Sequence, residues 1–328
     1  MNNRILLTGR LPLEIMASLT EKFEVDAHNE DIPFDRQKLL QRIRDKDGLI
    51  SMITDTVDEE VLDNAASLKM IAHFGVGYNN IDVKAATARG ILVSNTPGVL
   101  TDATAELAFA LILSISRRLV ECDKITREGR FRYWAPMLFL GREVTGKTLG
   151  IIGLGEIGKA VARRAKGFDM RIIYYNRSRI DISEEKEFNA KYVSLKTLLM
   201  EADFVSLHVP LTEQTKHLIG GEELSRMKPT AYLINTSRGP VVDEQALLEA
   251  LRNRKIGGAG LDVYENEPAL TPGLTELDNV ILLPHIGSGT METRIRMATM
   301  AAENLIAGLS CLLPPNLVNP EVLPKRRL

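Results

Sequence analysis

Cysteine and excess charge are both scarce in this sequence of 328 residues. Its two cysteines, Cys122 and Cys311, are far apart and lack Cys-x-x-Cys spacing. We therefore expect neither a disulfide framework nor a zinc or other metal site, but two reduced and buried thiols. The formal net charge of −2 is too small to attract polyanions, so nucleic acid is not expected as a partner.

Long apolar runs are missing as well. The most apolar helix-like stretch, residues 105–115, contains Glu106 and is well short of the roughly 20 residues that span a bilayer. We expect a buried core helix there and no membrane partner. The first residues show no basic segment followed by a long apolar run and a cleavage site, so no secretion signal is predicted and a cytoplasmic location is expected.

Strand-like and helix-like segments alternate along almost the whole chain, which is typical of parallel sheets covered by helices on both faces. The predicted strands are residues 4–9, 24–28, 48–54, 70–75 and 91–96, and then 148–153, 170–175, 204–209, 231–236, 260–263 and 280–283. The chain is longer than one hydrophobic core usually supports. The predicted fold class is α/β, with two Rossmann-like, doubly wound parallel-sheet domains flanking a cleft.

A long helical segment over residues 101–129 separates the two series of strands, and a last helical run over residues 291–309 follows the final strand. We expect this last helix to return to the first domain. The predicted division is a flavodoxin-like substrate domain of residues 1–100 plus 289–328, and a dinucleotide-binding Rossmann domain of residues 101–288. The latter has six predicted strands, as a complete dinucleotide-binding sheet requires.

The sequence GLGEIG at residues 153–158 follows an apolar strand and opens a helix. In this context its glycines allow a tight turn, close approach of the backbone to a pyrophosphate, and close packing of helix on strand, and the helix N-terminus favours the negative charge. The pattern predicts a nicotinamide dinucleotide site. The predicted coenzyme contacts in this turn are Leu154, Gly155, Glu156 and Ile157.

The next strand lacks the acid that NAD-specific folds place at its end to bind the ribose 2′-OH. Asn176, Arg177, Ser178 and Arg179 stand there instead. Their donors suit a 2′-phosphate, so NADP(H) is favoured, with NAD(H) as the alternative. Dual specificity, or arginines that are merely solvated, would leave the same pattern.

Three strand ends carry groups that together suit a 2-oxo acid. Arg238 follows the fourth strand of the second series, Glu267 the fifth and His285 the sixth. Ligands bind at the carboxyl ends of the strands in open α/β sheets. A guanidinium can fork onto the acid's carboxylate, an imidazole can exchange a proton with its carbonyl oxygen, and a neighbouring carboxylate keeps the imidazole charged.

Several motifs in order resemble the D-isomer-specific 2-hydroxyacid dehydrogenase family, and the resemblance covers nearly the whole chain. The matching segments are GVGYNNID at 75–82, NTPG at 95–98, TAE at 104–106, the glycine turn, HVP at 208–210, NTSRG at 235–239, DVY at 262–264 with Glu267-Pro268, and PHIG at 284–287.

The resemblance implies roles for individual residues. His285 would be the general acid in reduction and the base in oxidation, Glu267 would sustain its charge, and Arg238 would anchor the substrate. Backbone N–H groups of Val76 and Gly77 would cradle the substrate's carboxylate. The implied coenzyme contacts further along the chain are His208, Pro210, Thr236, Ser237, Arg238 and Asp262, the last near the nicotinamide amide.

Within the family the chain looks most like glyoxylate and hydroxypyruvate reductases, because of Trp134 and the loop at residues 176–178. Members of that subgroup use such a tryptophan near a subunit interface, so a homodimer is expected. The expected reaction is reduction of a small 2-oxo acid to the D-2-hydroxy acid. A 2-ketogluconate or other aldonate reductase remains an alternative, and a dinucleotide-sensing scaffold resembling certain corepressors is a further one.

Overall fold

The computed structural model describes residues 3–327, which form two compact α/β units. The first comprises the residues up to Leu100 together with those from Thr290 onward, and the second is Thr101–Gly289. Within the described part of the chain, no helix is long and apolar enough to cross a membrane.

The first unit is built on a five-stranded parallel sheet in the order β2-β1-β3-β4-β5. This is the strand order of flavodoxin-like folds. Its strands are β1 (Arg4–Leu7), β2 (Glu24–Ala27), β3 (Gly48–Ser51), β4 (Met70–His73) and β5 (Leu92–Ser94). Its helices are α1 (Leu13–Thr20), α2 (Arg36–Arg42), α3 (Glu59–Asn64), α4 (Val83–Ala88) and, from the end of the chain, α12 (Met291–Leu309).

Local sequence explains where these helices begin and how they pack. Asp35, Asp58 and Asp82 stand just before α2, α3 and α4, and each accepts a hydrogen bond from a first-turn backbone N–H, which satisfies a donor that the helix leaves unpaired. The three helices bury their apolar sides against one face of the sheet. On β3 and β4 lies α12, whose Gly308 would place a Cβ only 2.7 Å from the sulfur of Met70.

The second unit is built on a seven-stranded parallel sheet in the order β12-β11-β10-β9-β6-β7-β8. Its strands are β6 (Thr148–Ile152), β7 (Arg171–Tyr175), β8 (Ala190–Tyr192), β9 (Phe204–Leu207), β10 (Tyr232–Asn235), β11 (Gly258–Leu261) and β12 (Val280–Leu282). Its helices are α5 (Thr101–Ser116), α6 (Leu119–Arg127), α7 (Glu156–Lys166), α8 (Ile182–Phe188), α9 (Leu195–Glu201), α10 (Gly221–Arg226) and α11 (Glu244–Arg252). Separate apolar clusters cover its two faces.

This sheet has the dinucleotide-binding strand order over β8-β7-β6-β9-β10-β11, with β12 added at one edge. The prediction of six strands was wrong by one. The unpredicted strand is β8, which has three residues and pairs only with β7 at the sheet edge. Such a short edge strand leaves no alternation of apolar and polar residues to detect, and it forms because β7 offers an unpaired edge.

The helix predicted over residues 101–129 is broken in two. Arg118 adopts a left-handed conformation with φ of 56° between α5 and α6. At the break the carbonyl oxygen of Ser116 accepts a 2.7 Å hydrogen bond from the backbone N–H of Arg142. A partner 26 residues away in sequence therefore takes the place of an intrahelical one. The expectation of two buried thiols was also wrong, since Cys311 is exposed and Cys122 is half-buried, although both are free.

Candidate active site

The glycine turn links β6 to α7 at the point where the strand order of the second sheet reverses. Gly153 has φ of 97°, and a Cβ there would lie 2.6 Å from the carbonyl oxygen of His208. A Cβ on Gly158 would lie 2.3 Å from the carbonyl oxygen of Gly153. The first glycine is therefore required by conformation and by space, and the last by the close packing of α7 on the strand.

Around Gly155 the structure leaves room for a ligand. Apart from Gly155 and its two chain neighbours, no described residue has a heavy atom within 4 Å of the position of a Cβ on Gly155, which is the N-cap of α7. Leu154, Glu156 and Ile157 lie in the same turn and first helical residues. Because the helix N-terminus presents N–H groups and positive partial charge, these residues fit a pyrophosphate.

Thr236 provides a second observation that fits a dinucleotide. Its side-chain oxygen is buried, yet it has no hydrogen-bond partner within residues 3–327. Buried hydroxyls are nearly always satisfied in folded proteins. The unsatisfied oxygen lies in the loop after β10, at the same sheet edge as the glycine turn, where a nicotinamide coenzyme would supply the partner.

The polar residues of the loop after β7 have different partners in the structure, although the sequence suggests that all of them suit a 2′-phosphate. The side-chain oxygen of Asn176 accepts a 2.6 Å hydrogen bond from the backbone N–H of Leu154 and so holds the glycine turn. Arg179 is engaged elsewhere, with hydrogen bonds of 2.7 and 2.6 Å to the two oxygens of Glu185. Arg177 and Ser178 are exposed, and no hydrogen bond or ion pair to other described residues involves the Arg177 guanidinium.

Glu185 also binds Tyr174, which helps Arg179 to keep the carboxylate ionised. The hydroxyl of Tyr174 donates a 2.6 Å hydrogen bond to the same carboxylate. The hydrogen bonds from Arg179 and Tyr174 lower the pKa of Glu185 to about 2 and keep it ionised. Of the two arginines in this loop, only Arg177 is therefore available to a ligand without breaking an ion pair.

His208 directly follows β9 beside the glycine turn, and Pro210 is exposed. The His208 ring lies 2.8 Å from the hydroxyl of Ser206, and burial lowers the pKa of His208 to about 4. Its imidazole is therefore neutral at pH 7. Its carbonyl oxygen lies close to Gly153 and so restricts residue 153 to glycine. Because its ring is neutral, His208 offers no charge to a coenzyme.

His285 and Glu267 form a hydrogen-bonded pair at the carboxyl edge of β11 and β12. The Nδ1 atom of His285 lies 2.8 Å from Oε2 of Glu267, whose other oxygen accepts a 2.9 Å hydrogen bond from the backbone N–H of Tyr264. Burial raises the pKa of Glu267, but the His285 ring, the Tyr264 N–H and the Arg238 charge outweigh burial and lower it. An ionised carboxylate thus orients the ring and leaves Nε2 for a substrate.

Asp262 holds the loop that carries His285. Its two oxygens accept 2.7 Å hydrogen bonds from the backbone N–H groups of Ile286 and Gly287. His285 itself has φ of 55°, a conformation that a non-glycine residue adopts only when its surroundings impose it. The structure thus shows a loop-holding role for Asp262, and a contact with the nicotinamide amide remains a prediction.

Arg238 lies in the loop after β10, and the side chain of Asn235 fixes that loop. Asn235 accepts hydrogen bonds from the N–H and hydroxyl of Ser237 and donates one to the carbonyl of Arg238. Gly239 packs so closely on residue 264 that a Cβ would lie 1.8 Å from the carbonyl oxygen of Tyr264. The loops that carry Arg238 and Glu267 are therefore in direct contact.

Tyr264 is a contributor that the sequence did not single out. Besides its backbone bond to Glu267, its hydroxyl donates a 2.8 Å hydrogen bond to the carbonyl of Leu283, just before the His285 loop. Burial raises its pKa, so the phenol stays protonated. The sequence places Tyr264 in the DVY motif, but only the fold shows that it connects the ends of β11 and β12.

In the first unit, Val76 and Gly77 follow β4 in a bent loop. The carbonyl of Gly75 accepts a 3.0 Å hydrogen bond from the N–H of Thr96, and that of Val76 a 2.8 Å bond from the side-chain amide of Asn95. In a planar trans peptide the N–H points opposite to the C=O. The N–H groups of Val76 and Gly77 are therefore turned away from Asn95 and Thr96, as an anion-binding loop requires.

Comparison with known proteins agrees with this geometry. Residues 109–287 match the family described as "D-isomer specific 2-hydroxyacid dehydrogenase, NAD binding domain". The glyoxylate reductase of Korarchaeum cryptofilum is 52% identical over 329 residues, covering 99% of this chain and 98% of that protein. The chain belongs to the D-isomer-specific 2-hydroxyacid dehydrogenase family, and it is an NAD(P)-dependent enzyme of that class.

Two solved structures extend the likeness to the whole fold. A protein from Thermus thermophilus has a TM-score of 0.90 and 46% sequence identity, covering 96% of this chain and 99% of that one. An NADPH-dependent glyoxylate/hydroxypyruvate reductase from Sinorhizobium meliloti, in complex with NADP and malonate, has a TM-score of 0.87 and 35% identity, covering 100% of this chain and 99% of that one. The prediction of two Rossmann-like parallel-sheet folds is confirmed.

Proposed function

We propose that this enzyme reduces glyoxylate to glycolate, or hydroxypyruvate to D-glycerate, with His285 as the proton donor. The observation that carries the proposal is the 2.8 Å hydrogen bond between His285 and the ionised Glu267, in a site that also holds the charge of Arg238. Relatives named glyoxylate reductase, which are 52% and 51% identical to this chain, support the substrate class.

The coenzyme supplies the hydride when it is bound, and the chain's own residues bind the acid and move the proton. Arg238 and the N–H groups of Val76 and Gly77 bind the carboxylate of the 2-oxo acid. The Nε2–H of His285 donates its proton to the carbonyl oxygen as that oxygen gains negative charge. Glu267 stabilises the charged ring before transfer, and in oxidation the neutral ring takes the hydroxyl proton back.

Replacement of the proton donor tests this mechanism. His285→Gln keeps a donor near the Nε2 position but cannot release a proton at neutral pH. We expect kcat to fall by about 10²- to 10⁴-fold, while the dissociation constant of the coenzyme changes little. Steady-state kinetics and fluorescence titration of the coenzyme measure the two quantities, and full residual turnover would refute the role of His285.

A substrate panel separates the proposal from its alternatives. Glyoxylate, hydroxypyruvate, pyruvate and 2-ketogluconate are assayed with NADPH and with NADH. The highest kcat/KM is expected for glyoxylate or hydroxypyruvate. A clear preference for 2-ketogluconate would indicate an aldonate reductase, and no turnover of any acid would favour the dinucleotide-sensing scaffold.

NADP(H) is the proposed coenzyme. The available guanidinium of Arg177 and the hydroxyl of Ser178 support this choice, because both can donate to a 2′-phosphate and residues 176–179 include no acid. The relative from Sinorhizobium meliloti is described as NADPH-dependent and in complex with NADP, which supports the same choice.

The enzyme is further proposed to be a cytoplasmic homodimer. Large apolar side chains are unusually exposed in one short segment of the second unit, and such clusters mark protein interfaces. They are Phe131, Tyr133, Trp134, Met137, Leu138, Phe139 and Leu140. Light scattering is expected to give twice the chain mass, and Trp134→Glu with Met137→Glu should give a monomer. Two free cysteines suit a reducing compartment.

A further inference from the structure

His73 is the last residue of β4 and lies beneath the loop that carries Val76 and Gly77. Its side chain is fully buried. The Nδ1 atom lies 3.0 Å from the hydroxyl of Ser51 on the neighbouring strand, and Nε2 lies 3.1 Å from the carbonyl oxygen of Gly77. Since a carbonyl can only accept, Nε2 carries the hydrogen and Nδ1 accepts from Ser51.

The bond from His73 completes a series of three. The carbonyls of Gly75 and Val76 are held by Thr96 and Asn95, and the carbonyl of Gly77 by His73. Each of these bonds fixes one peptide plane and with it the direction of the next N–H. The imidazole thus controls the peptide that follows Gly77, and a loop with three fixed peptides is ordered before any ligand arrives.

We propose that His73 is a positioning residue for the substrate: it holds the peptide after Gly77 while Asn95 holds the peptide before it, and together they fix Gly77, whose N–H binds the acid's carboxylate. This inference rests on the proposed function, in which Val76 and Gly77 bind that carboxylate. The carboxylate is bound alike before and during hydride transfer. Disorder of the loop should therefore raise KM and leave kcat nearly unchanged.

Two matched substitutions distinguish this role from general packing. His73→Gln places an amide N–H where Nε2 stands, four bonds from Cα, and can still donate to Gly77. His73→Asn has an oxygen near the Nδ1 position that can accept from Ser51, but its amide is too short to reach Gly77. Both variants are neutral, polar and smaller than histidine, and they differ in which of the two hydrogen bonds survives.

The variants are compared in KM and kcat for glyoxylate, in the Kd of the coenzyme, and in the Kd of oxamate measured by calorimetry on the coenzyme-loaded enzyme. We expect His73→Asn to raise both the KM and the oxamate Kd at least tenfold, with kcat within threefold and the coenzyme Kd within twofold. His73→Gln should stay within threefold throughout. Equal values for the two variants, or a native KM in His73→Asn, would overturn the inference.

Two further outcomes are decisive. If His73→Asn does not fold, His73→Leu serves instead, since it fills much of the same space but cannot donate to Gly77. A threefold or larger rise in KM at constant kcat then supports the role, and a native KM refutes it. If the native enzyme reduces no 2-oxo acid but binds oxamate in a way that depends on His73, the proposed function fails while this inference stands.

Discussion

Arg177 is expected to determine the choice between NADPH and NADH, and Arg179 is its matched control. Arg177→Gln removes a guanidinium that no other described residue engages, so the free enzyme should lose little stability. A charge-assisted hydrogen bond contributes about 1.5–3 kcal/mol, which corresponds to roughly a 10- to 150-fold change in Kd. We therefore expect the Kd of NADPH to rise by that factor, while the Kd of NADH stays nearly the same.

Arg179→Gln should behave differently, because its guanidinium is already bound to Glu185 by two hydrogen bonds. Its loss should lower the melting temperature and weaken both coenzymes to a similar extent. Fluorescence titration with each coenzyme, together with kcat/KM, measures the ratio of NADPH to NADH affinity in each variant. A ratio within threefold of native in Arg177→Gln would show that the assignment is wrong, as would a selective loss of NADPH binding in Arg179→Gln.

Three other predictions follow from buried groups. Burial raises the pKa of Asp55 from 3.8 to about 6. Between these two values the folded chain retains a proton that the unfolded chain releases. The free energy of unfolding should therefore fall by about 3 kcal/mol as the pH rises from about 4 to 6. In Asp55→Asn, urea unfolding across this range should lack that fall, and an unchanged slope would exclude Asp55 as its source. Gly158→Ala should raise the coenzyme Kd at least tenfold, since its Cβ would lie 2.3 Å from a backbone oxygen, and a native Kd would contradict that contact. Asp262→Ala should lower kcat by tenfold or more because the His285 loop loses both of its backbone anchors, and a native kcat would show that the loop holds itself.

The sequence predicted the parallel sheets well, because these depend on local patterns, whereas the catalytic roles of Arg238, Glu267 and His285 stay predictions. Apolar strands alternate with helices, and Arg238, Glu267 and His285 each lie in the loop that follows a strand. Parallel strands bring such positions to one edge of the sheet whatever the details of packing. The 2.8 Å bond between His285 and Glu267 joins residues 18 positions apart, and the fold alone makes it visible.

What the sequence could not predict depends on partners that are distant along the chain. Arg177 and Arg179 look alike in the sequence, and they differ only because a helix brings Glu185 and a strand brings Tyr174 to one of them. His73 looks like an ordinary strand-end histidine until β3 places Ser51 beside it. The break at Arg118 likewise depends on Arg142, whose N–H replaces an intrahelical donor to Ser116. No local propensity records such contacts.

The return of α12 to the first unit has a consequence for how the chain folds. Residues 101–289 are contiguous and can fold as soon as they are synthesised, whereas the first unit has to wait for the end of the chain. The side chain of Asn319 accepts a hydrogen bond from the N–H of Val93 and donates one to the carbonyl of Ile91, which secures β5 only after almost the whole chain exists. During synthesis the strands β3 and β4 therefore expose the apolar face that α12 later covers, and this half of the molecule is the one most in need of protection from aggregation.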